Sequence, residues 1–161
     1  MKEQLVALLP DLRAFARSLE HDRTRADDLV QETVARALAA LDSFQPGTNM
    51  GAWTFTILRN EFYSHHRRQR RSPTVPAEEA EAAAPAIDSP QESHMALRDL
   101  RSAFWRLTPE YREALILVTM RGHTYEEAAA ICGCAVGTVK ARVSRARARL
   151  QADMDTDNAP P

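Results

Sequence analysis

The residues that could carry covalent or metal chemistry in this chain are few. Cys132 and Cys134 are its only cysteines, and a zinc site built on them needs two further ligands where the sequence places only His123 nearby. His65 and His66 are adjacent, so on a helix they face different ways and make poor joint ligands. We find no clustered carboxylate set, phosphate-cradling glycine loop or catalytic triad. The sequence predicts no enzyme, cofactor or metal site, with a nuclease using His65, His66 and acidic residues as an alternative.

The chemistry that the sequence does offer is electrostatic, and it is concentrated on one predicted helix from Val136 to Leu150. This helix carries five cations and no acidic residue. Solvated helix faces usually mix both signs of charge, so this composition indicates a phosphate-binding surface. A basic helix that merely covers a core is the alternative.

The arrangement of side chains around this helix sharpens that prediction. At about 100° per residue the apolar side chains form one stripe, which must be buried, made of Val139, Val143, Ala146 and Leu150. Short side chains lie opposite the stripe, where they allow close approach to base edges, and cations lie on both flanks. The predicted base-edge contacts are Lys140, Ala141, Ser144 and Arg145. The predicted phosphate contacts are Arg142, Arg147 and Arg149, with Thr138 bonding either a phosphate or the helix's own backbone.

The residues before the basic helix predict a second helix and a tight turn. Thr124 can cap the helix, and Glu127 three residues later completes a capping box. Gly133 can end it in a left-handed turn. Helix, turn and basic helix together are typical of a helix-turn-helix whose second helix enters the DNA major groove.

Charge along the chain is strongly segregated, although the formal net charge is only −1. A second basic cluster ends the first half of the chain: Arg59, Arg67, Arg68, Arg70 and Arg71. The segment from Ser72 to Ser93 is acidic and rich in proline, which predicts an extended or disordered linker with a helical stretch around Glu78 to Ala84. We therefore predict an all-α chain with domains at 1–71 and 94–152 and a disordered tail at 153–161.

Three helices are predicted in the first domain. One runs from about Glu3 to Leu19, and the second follows the polar turn HDRTRAD and begins at DDLVQETV. After the loop SFQPGTNMG, the third runs through AWTFTILRNEFYSHHRRQRR. The N-terminal apolar run is too short for a signal peptide and no stretch approaches the ~20 residues of a membrane span, so we expect a cytoplasmic protein.

These motifs resemble a known family. DDLVQETVARAL, followed by F-x-PGTN, AWTFTILRNEFYS and a basic run, resembles region 2 of extracytoplasmic-function (ECF) sigma factors. LTPEYREALILVTMRGHTYEEAAAICGCAVGTVKARVSRARARL resembles region 4 of the same family. The resemblance covers about Leu9 to Leu150 without the linker. The residues of these motifs are especially similar to those of the general-stress-response, or EcfG-like, subgroup. The chain departs from that pattern at Gly51, where a larger and often basic residue is expected.

The resemblance implies a sigma factor that binds core RNA polymerase and directs promoter-specific initiation. The second domain would hold the minus-thirty-five element and contact the β flap. The first would dock on the β′ clamp helices through Asp27, Asp28, Gln31 and Glu32, although a solvated helix face with dipole-favoured acids would look the same. It would also recognise and melt the minus-ten element. Asn49 would hold an extruded base, and the strand would follow Arg59, Asn60, Tyr63, Arg67 and Arg68, with Tyr63 equally suited to the core.

Control by a partner is also implied by the resemblance. The stress-response subgroup typically has a small helical, NepR-like anti-sigma factor, which would capture the faces meant for polymerase. The alternative is a decoy that sequesters an anti-sigma factor without starting transcription. Such a mimic is expected to lose the cationic recognition face, and this chain keeps all five cations.

Overall fold

The computed structural model describes residues 1–71, 91–119 and 121–157, and within these ranges every regular element is helical. The chain divides into two compact units. The first contains α1 (Lys2–Ala7), α2 (Leu9–Leu19), α3 (Arg23–Ala39), a 3₁₀ turn (Leu41–Ser43) and α4 (Met50–Arg71). The remaining helices are α5 (Gln91–Arg106), α6 (Pro109–Thr119), α7 (Tyr125–Cys132) and α8 (Val136–Asp157). The predicted all-α fold is confirmed, and none of the described helices combines the length and apolarity that crossing a membrane requires.

The first predicted helix is broken into two in the structure. Leu8 separates α1 from α2, and Pro10 lies in the first turn of α2. Proline has no backbone N–H to donate, and its ring clashes with the carbonyl four residues earlier, so it favours the start of a helix over its interior. A single helix would place Leu5, Leu12 and Phe15 on one apolar face, and these side chains are buried on both sides of the break.

Helix α3 begins earlier than predicted, because Asp22 caps it. The Asp22 carboxylate accepts a hydrogen bond from the backbone N–H of Arg25 at 3.0 Å, as expected of an N-cap residue. Most of the predicted polar turn is therefore helical. Asp27 and Asp28 lie in the second turn of α3, where the helix dipole has little influence on them. The spacing of Val30, Val34 and Leu38 predicts that Leu38 faces inward, but Leu38 is 45% exposed.

The core of the first unit fixes α4 against α2 and α3. Leu58 and Phe62 of α4 are at most 1% exposed, and the ring of Phe55 meets that of Phe15 edge to face, with centroids 5.1 Å apart. Burying this face of α4 fixes the helix about its axis. Asn60 and the cations from Arg67 onwards are thereby directed to the surface, while the polar Thr54 and Glu61 lie on the buried side.

In the second unit, α5 and α6 pack on α8. Val139, Val143 and Ala146 are at most 1% exposed, which confirms three members of the predicted stripe, while Leu150 is half-buried. The spacing of Leu97, Leu100, Phe104 and Leu107 predicts one helical stripe. Leu107, just after α5, is buried, whereas Leu97 and Leu100 on α5 are 54% and 43% exposed.

Two boundaries of the second unit differ from the prediction. Gln91–Ser93, predicted as the end of the linker, belong to α5, while 72–90, including the predicted helical stretch, lie outside the described residues. Residues 153–157, predicted as tail, continue α8. Arg106 of α5 pairs with Asp153 at 3.3 Å and with Asp157 at 3.4 Å, so the last turns of α8 are held against a neighbouring helix.

Both ends of α7 have the predicted geometry. The backbone N–H of Glu127 donates to Thr124 Oγ1 at 3.1 Å, and the N–H of Thr124 donates back to the Glu127 carboxylate at 3.4 Å. This is the reciprocal bonding of a capping box. Gly133 has φ +65°, a left-handed conformation that a residue without Cβ adopts at low cost. These local features set where α7 begins and ends.

Candidate nucleic-acid interface

The cations of α8 lie beside its buried stripe, on both flanks, with Arg145 furthest from the stripe. Lys140, Arg145, Arg147 and Arg149 are exposed, as is Ser144, whereas Thr138, Ala141 and Arg142 are half-buried. All eight predicted contacts are therefore on α8, but they do not form one surface. The half-buried members lie towards α6 and form part of a groove between the two helices.

This groove encloses about 620 Å³. On α8 the groove is lined by five of the predicted DNA contacts, Thr138, Ala141, Arg142, Arg145 and Arg149, and also by Gly137. From the segment that starts α6 it is lined by Thr108, Glu110 and Tyr111. Three arginines converge on one opening, an arrangement suited to a phosphate backbone. Lys140, Ser144 and Arg147 lie outside it.

Aromatic side chains orient two cations of α8, Arg149 in the groove and Lys140 outside it. The guanidinium carbon of Arg149 lies 4.6 Å from the centroid of the Tyr111 ring, and Nζ of Lys140 lies 5.5 Å from that of Tyr125. Both distances are within the range of cation–π attraction. Stacking restricts the rotamers of long side chains, so less conformational entropy is lost when they bind. Tyr111 is not among the residues predicted from the sequence, although the Thr108-Pro109 helix start places it in the first turn of α6.

The loop before α4 is built from a tight turn and a helix cap. The Thr48 N–H donates to the Gln45 carbonyl at 3.2 Å around Pro46 and Gly47, and Gly47 has φ +88°, as in a type II turn. Asn49 then caps α4, its Oδ1 accepting from the N–H of Ala52 at 3.0 Å. Asn49 is exposed and its position is fixed by backbone bonds on both sides.

The polar face of α4 carries the other predicted minus-ten residues. Asn60, Arg67 and Arg68 are exposed, and Arg59 stacks over the Tyr63 ring at 4.6 Å. Tyr63 is half-buried, and its ring also meets that of Phe62 at 5.1 Å. One face of the tyrosine thus packs on the core while the ring supports a surface cation. The structure therefore supports a partial core role for Tyr63, and its contact with the minus-ten strand stays a prediction.

The predicted polymerase-binding residues divide into two groups. Asp27, Asp28 and Gln31 are exposed on α3, whereas Glu32 is half-buried, with its Oε2 2.7 Å from Nε2 of His65 on α4. That hydrogen bond holds the pKa of Glu32 below its ordinary value. Glu32 is thus engaged inside the unit, and the sequence analysis missed this because its partner is 33 residues away.

Glu32 belongs to a small charged network between α3 and α4. Arg36 Nε lies 2.7 Å from Glu61 Oε1, and an Arg36 terminal nitrogen lies 3.4 Å from Glu32 Oε1. Burial, followed by the neighbouring Glu32 carboxylate, raises the pKa of Glu61 although Arg36 opposes the shift. The network joins the acidic helix to the cationic helix of the same unit.

Two helical units with cationic faces, one of them containing a helix-turn-helix, are the architecture of a DNA-binding protein. Residues 5–72 match the sigma-70 region 2 family, and residues 97–150 match the sigma-70 region 4 family. The ECF RNA polymerase sigma factor EcfG of Rhodopseudomonas palustris (strain TIE-1) is 50% identical over 159 residues, covering 99% of this chain and 87% of the relative. The chain belongs to the ECF sigma factors, which are regulatory DNA-binding proteins that bind core RNA polymerase and direct it to promoters.

Solved structures agree with this assignment. The sigma factor RpoE of Bartonella quintana, determined in complex with the anti-sigma factor NepR, matches with a TM-score of 0.82 at 48% identity over 98% of both chains. CnrH, determined in complex with the cytosolic domain of CnrY, matches with a TM-score of 0.71 at 29% identity over 98% of this chain and 88% of CnrH. Both matches span the two units.

Substitutions in the Arg149–Tyr111 pair can separate two effects on DNA binding: the loss of the Arg149 charge and the loss of its orientation by the tyrosine ring. Phosphate contacts do not depend on the DNA sequence, so duplex DNA of any sequence can be used to measure binding. We expect Arg149→Ala to weaken binding and to lower the salt slope, log K against log [salt], by about one unit. Tyr111→Leu keeps every cation, so we expect weaker binding at low salt with an unchanged slope. Fluorescence anisotropy across a salt series measures both, with Arg98→Ala on α5 as the control. A slope lowered equally by both substitutions would contradict the role given to Tyr111.

Gly51 and Asn49 should be energetically coupled. A Cβ at Gly51 would lie 3.1 Å from Asn49 Oδ1, the atom that caps α4. We expect this crowding to offset the gain of about 1 kcal/mol that a helical Gly→Ala change otherwise brings. In an Asn49→Ala background we expect Gly51→Ala to raise the free energy of unfolding by about 0.5–1 kcal/mol. Urea denaturation of the four proteins measures the coupling, and equal effects of Gly51→Ala in both backgrounds would refute it.

Proposed function

We propose that this sigma factor binds the minus-thirty-five element through α8 and the groove beside it. Lys140, Ser144 and Arg145 would contact base edges, while Arg142 and Arg149 hold the phosphate backbone beside the first turn of α6. The observation that carries the proposal is the set of exposed cations of α8 beside and opposite its buried stripe. A helix anchored along one edge can enter a groove only with the other edge.

The minus-ten element would be held by the loop and the polar face of α4. Extruding a base costs a few kcal/mol, which stacking and backbone cations can offset. Asn49 has its Oδ1 committed to the helix cap, so its amide N–H groups are the atoms that can meet an extruded base. The arginine–tyrosine stack at Arg59 and Tyr63 then supports the strand. Asn60, Arg67 and Arg68 extend this path along the helix.

Polymerase would dock on the exposed acids of α3. Asp27, Asp28 and Gln31 form a compact polar patch whose negative charge suits a basic helical partner. Their position in the second turn weakens the explanation that they serve the helix dipole. We assign Glu32 a supporting role, because its carboxylate is already bonded to His65.

Control by a small helical anti-sigma factor is part of the proposal. A sigma factor 48% identical over 98% of this chain was solved in complex with NepR. The exposed apolar side chains Leu38, Leu97 and Leu100 give such a partner surface to bury. Sequestration would link transcription to a stress signal that removes the anti-sigma factor. A decoy that only binds the anti-sigma factor would not need the cations of α8, and this chain presents them.

Start-site mapping tests the promoter-reading function directly. Transcription in vitro on fragmented genomic DNA with core polymerase, followed by sequencing of RNA 5′ ends, should give a set of start sites sharing two upstream elements. We expect Lys140→Ala with Arg145→Ala to abolish selection through the minus-thirty-five element, since each lost bidentate base contact costs ~1–3 kcal/mol. Arg13→Ala, an exposed cation on α2, is the control. Unchanged start sites in the double variant would overturn the assignment of α8.

Polymerase docking is tested separately from DNA binding. We expect Asp27→Asn with Asp28→Asn to weaken binding to core polymerase by about twofold to thirtyfold, because two exposed ion pairs at about 0.2–1 kcal/mol each are lost. The loss should fall mainly on the association rate and shrink at high salt. Biolayer interferometry with immobilised core polymerase measures both rates, and Asp42→Asn, an exposed acid on the 3₁₀ turn, is the matched control. If Asp42→Asn had the same effect, the loss would reflect net charge and not this surface.

A further inference from the structure

Glu61 is an acidic side chain held inside the first unit. The residue is only 7% exposed, and its Oε2 is buried without a hydrogen-bond partner among the described residues. Its other oxygen accepts from Arg36. A buried carboxylate oxygen gains from a cationic partner, so Oε2 is placed to serve as a ligand atom.

Two further ligand side chains converge on Glu61. One ligand atom from each of Glu32, Glu61 and His65 lies within 4.8 Å of the others. Glu61 and His65 are four residues apart on α4 and so share one face, while Glu32 approaches from α3. Zinc bonds of about 2.0–2.2 Å in a tetrahedral site place the ligand atoms roughly 3.3–3.6 Å apart. Side-chain movements of about 1 Å therefore suffice to enclose an ion.

An entry path lies beside this cluster. A cavity of about 140 Å³ is lined by Glu32 and His65 together with the acids Glu20 and Asp28 and one cation, Arg25, so acidic groups outnumber basic ones along it. Arg36 is the competing cation, since it bonds Glu61 and approaches Glu32. Its side chain is 53% exposed and can turn towards solvent when an ion enters.

We propose that Glu32, Glu61 and His65 bind one divalent ion of the zinc type, with water completing a tetrahedral site. The imidazole favours zinc, cobalt or nickel over magnesium and calcium, which prefer oxygen ligands alone. The ion would take the position between the two carboxylates and give Glu61 Oε2 its missing partner. It would also cross-link α3 to α4. This goes beyond promoter recognition and does not depend on either DNA face.

The test is metal titration of the full-length chain without an affinity tag. Cobalt(II) in a tetrahedral site absorbs visible light strongly, so we expect a saturable band at one equivalent that zinc then removes. His65→Gln and Glu61→Gln should each weaken binding by at least about tenfold, since even outer-shell partners of metal ligands are worth 10–100-fold. His66→Gln removes the adjacent histidine and should leave the band unchanged. Zinc should also raise the melting temperature of the wild type and of His66→Gln, but not of His65→Gln.

The outcomes separate this site from incidental binding. Circular dichroism of each variant verifies that it is folded before titration. A wild-type chain with no saturable cobalt band overturns the proposal. So does a band retained in a folded His65→Gln or Glu61→Gln variant, or one lost in His66→Gln, because other residues would then hold the ion.

Discussion

The burial of one edge of α8 is the constraint on which the DNA-binding unit depends. Val139, Val143 and Ala146 pack so closely that the helix cannot turn about its axis. Because side chains project at about 100° per residue, fixing this edge also fixes the direction of every cation on the helix. Like charges spaced three or four residues apart repel and weaken an isolated helix. Tertiary packing therefore supplies the stability that the charge pattern opposes, and DNA bound as proposed would relieve the repulsion that remains.

Cations in both units rest on aromatic rings. Arg149 over Tyr111 and Lys140 over Tyr125 in the second unit are matched by Arg59 over Tyr63 in the first. Each stack contributes only about 0.5–1 kcal/mol at an exposed site. Its larger effect is to hold a long side chain near the conformation in which it can bind. Joining two such surfaces in one chain raises the effective concentration of the second contact, so neither needs high affinity alone.

The features predicted correctly from sequence are those with local causes. The capping box at Thr124 and the left-handed turn at Gly133 depend on residues within one turn of each other. The break before Pro10 also had a local signal, but the leucine periodicity on both sides of it suggested a continuous helix. The groove residue Tyr111 and the Glu32–His65 pair were missed for a different reason. Each depends on which helix packs beside which, and side-chain spacing within one helix does not encode that.

The charged network between α3 and α4 favours one alignment of the two helices, which apolar packing alone would leave undetermined. Apolar side chains can interdigitate in more than one register, because the attraction between them is not directional. The bonds of Glu32 to His65 and of Arg36 to Glu61 are directional, so they favour one alignment of the two helices. Partly buried ion pairs add little net stability, since desolvation offsets their attraction. Their consequence here is geometric: the exposed acids of α3 and the cations of α4 are held in a fixed relation within one unit. A polymerase bound to α3 and a DNA strand bound to α4 would then contact the same rigid unit.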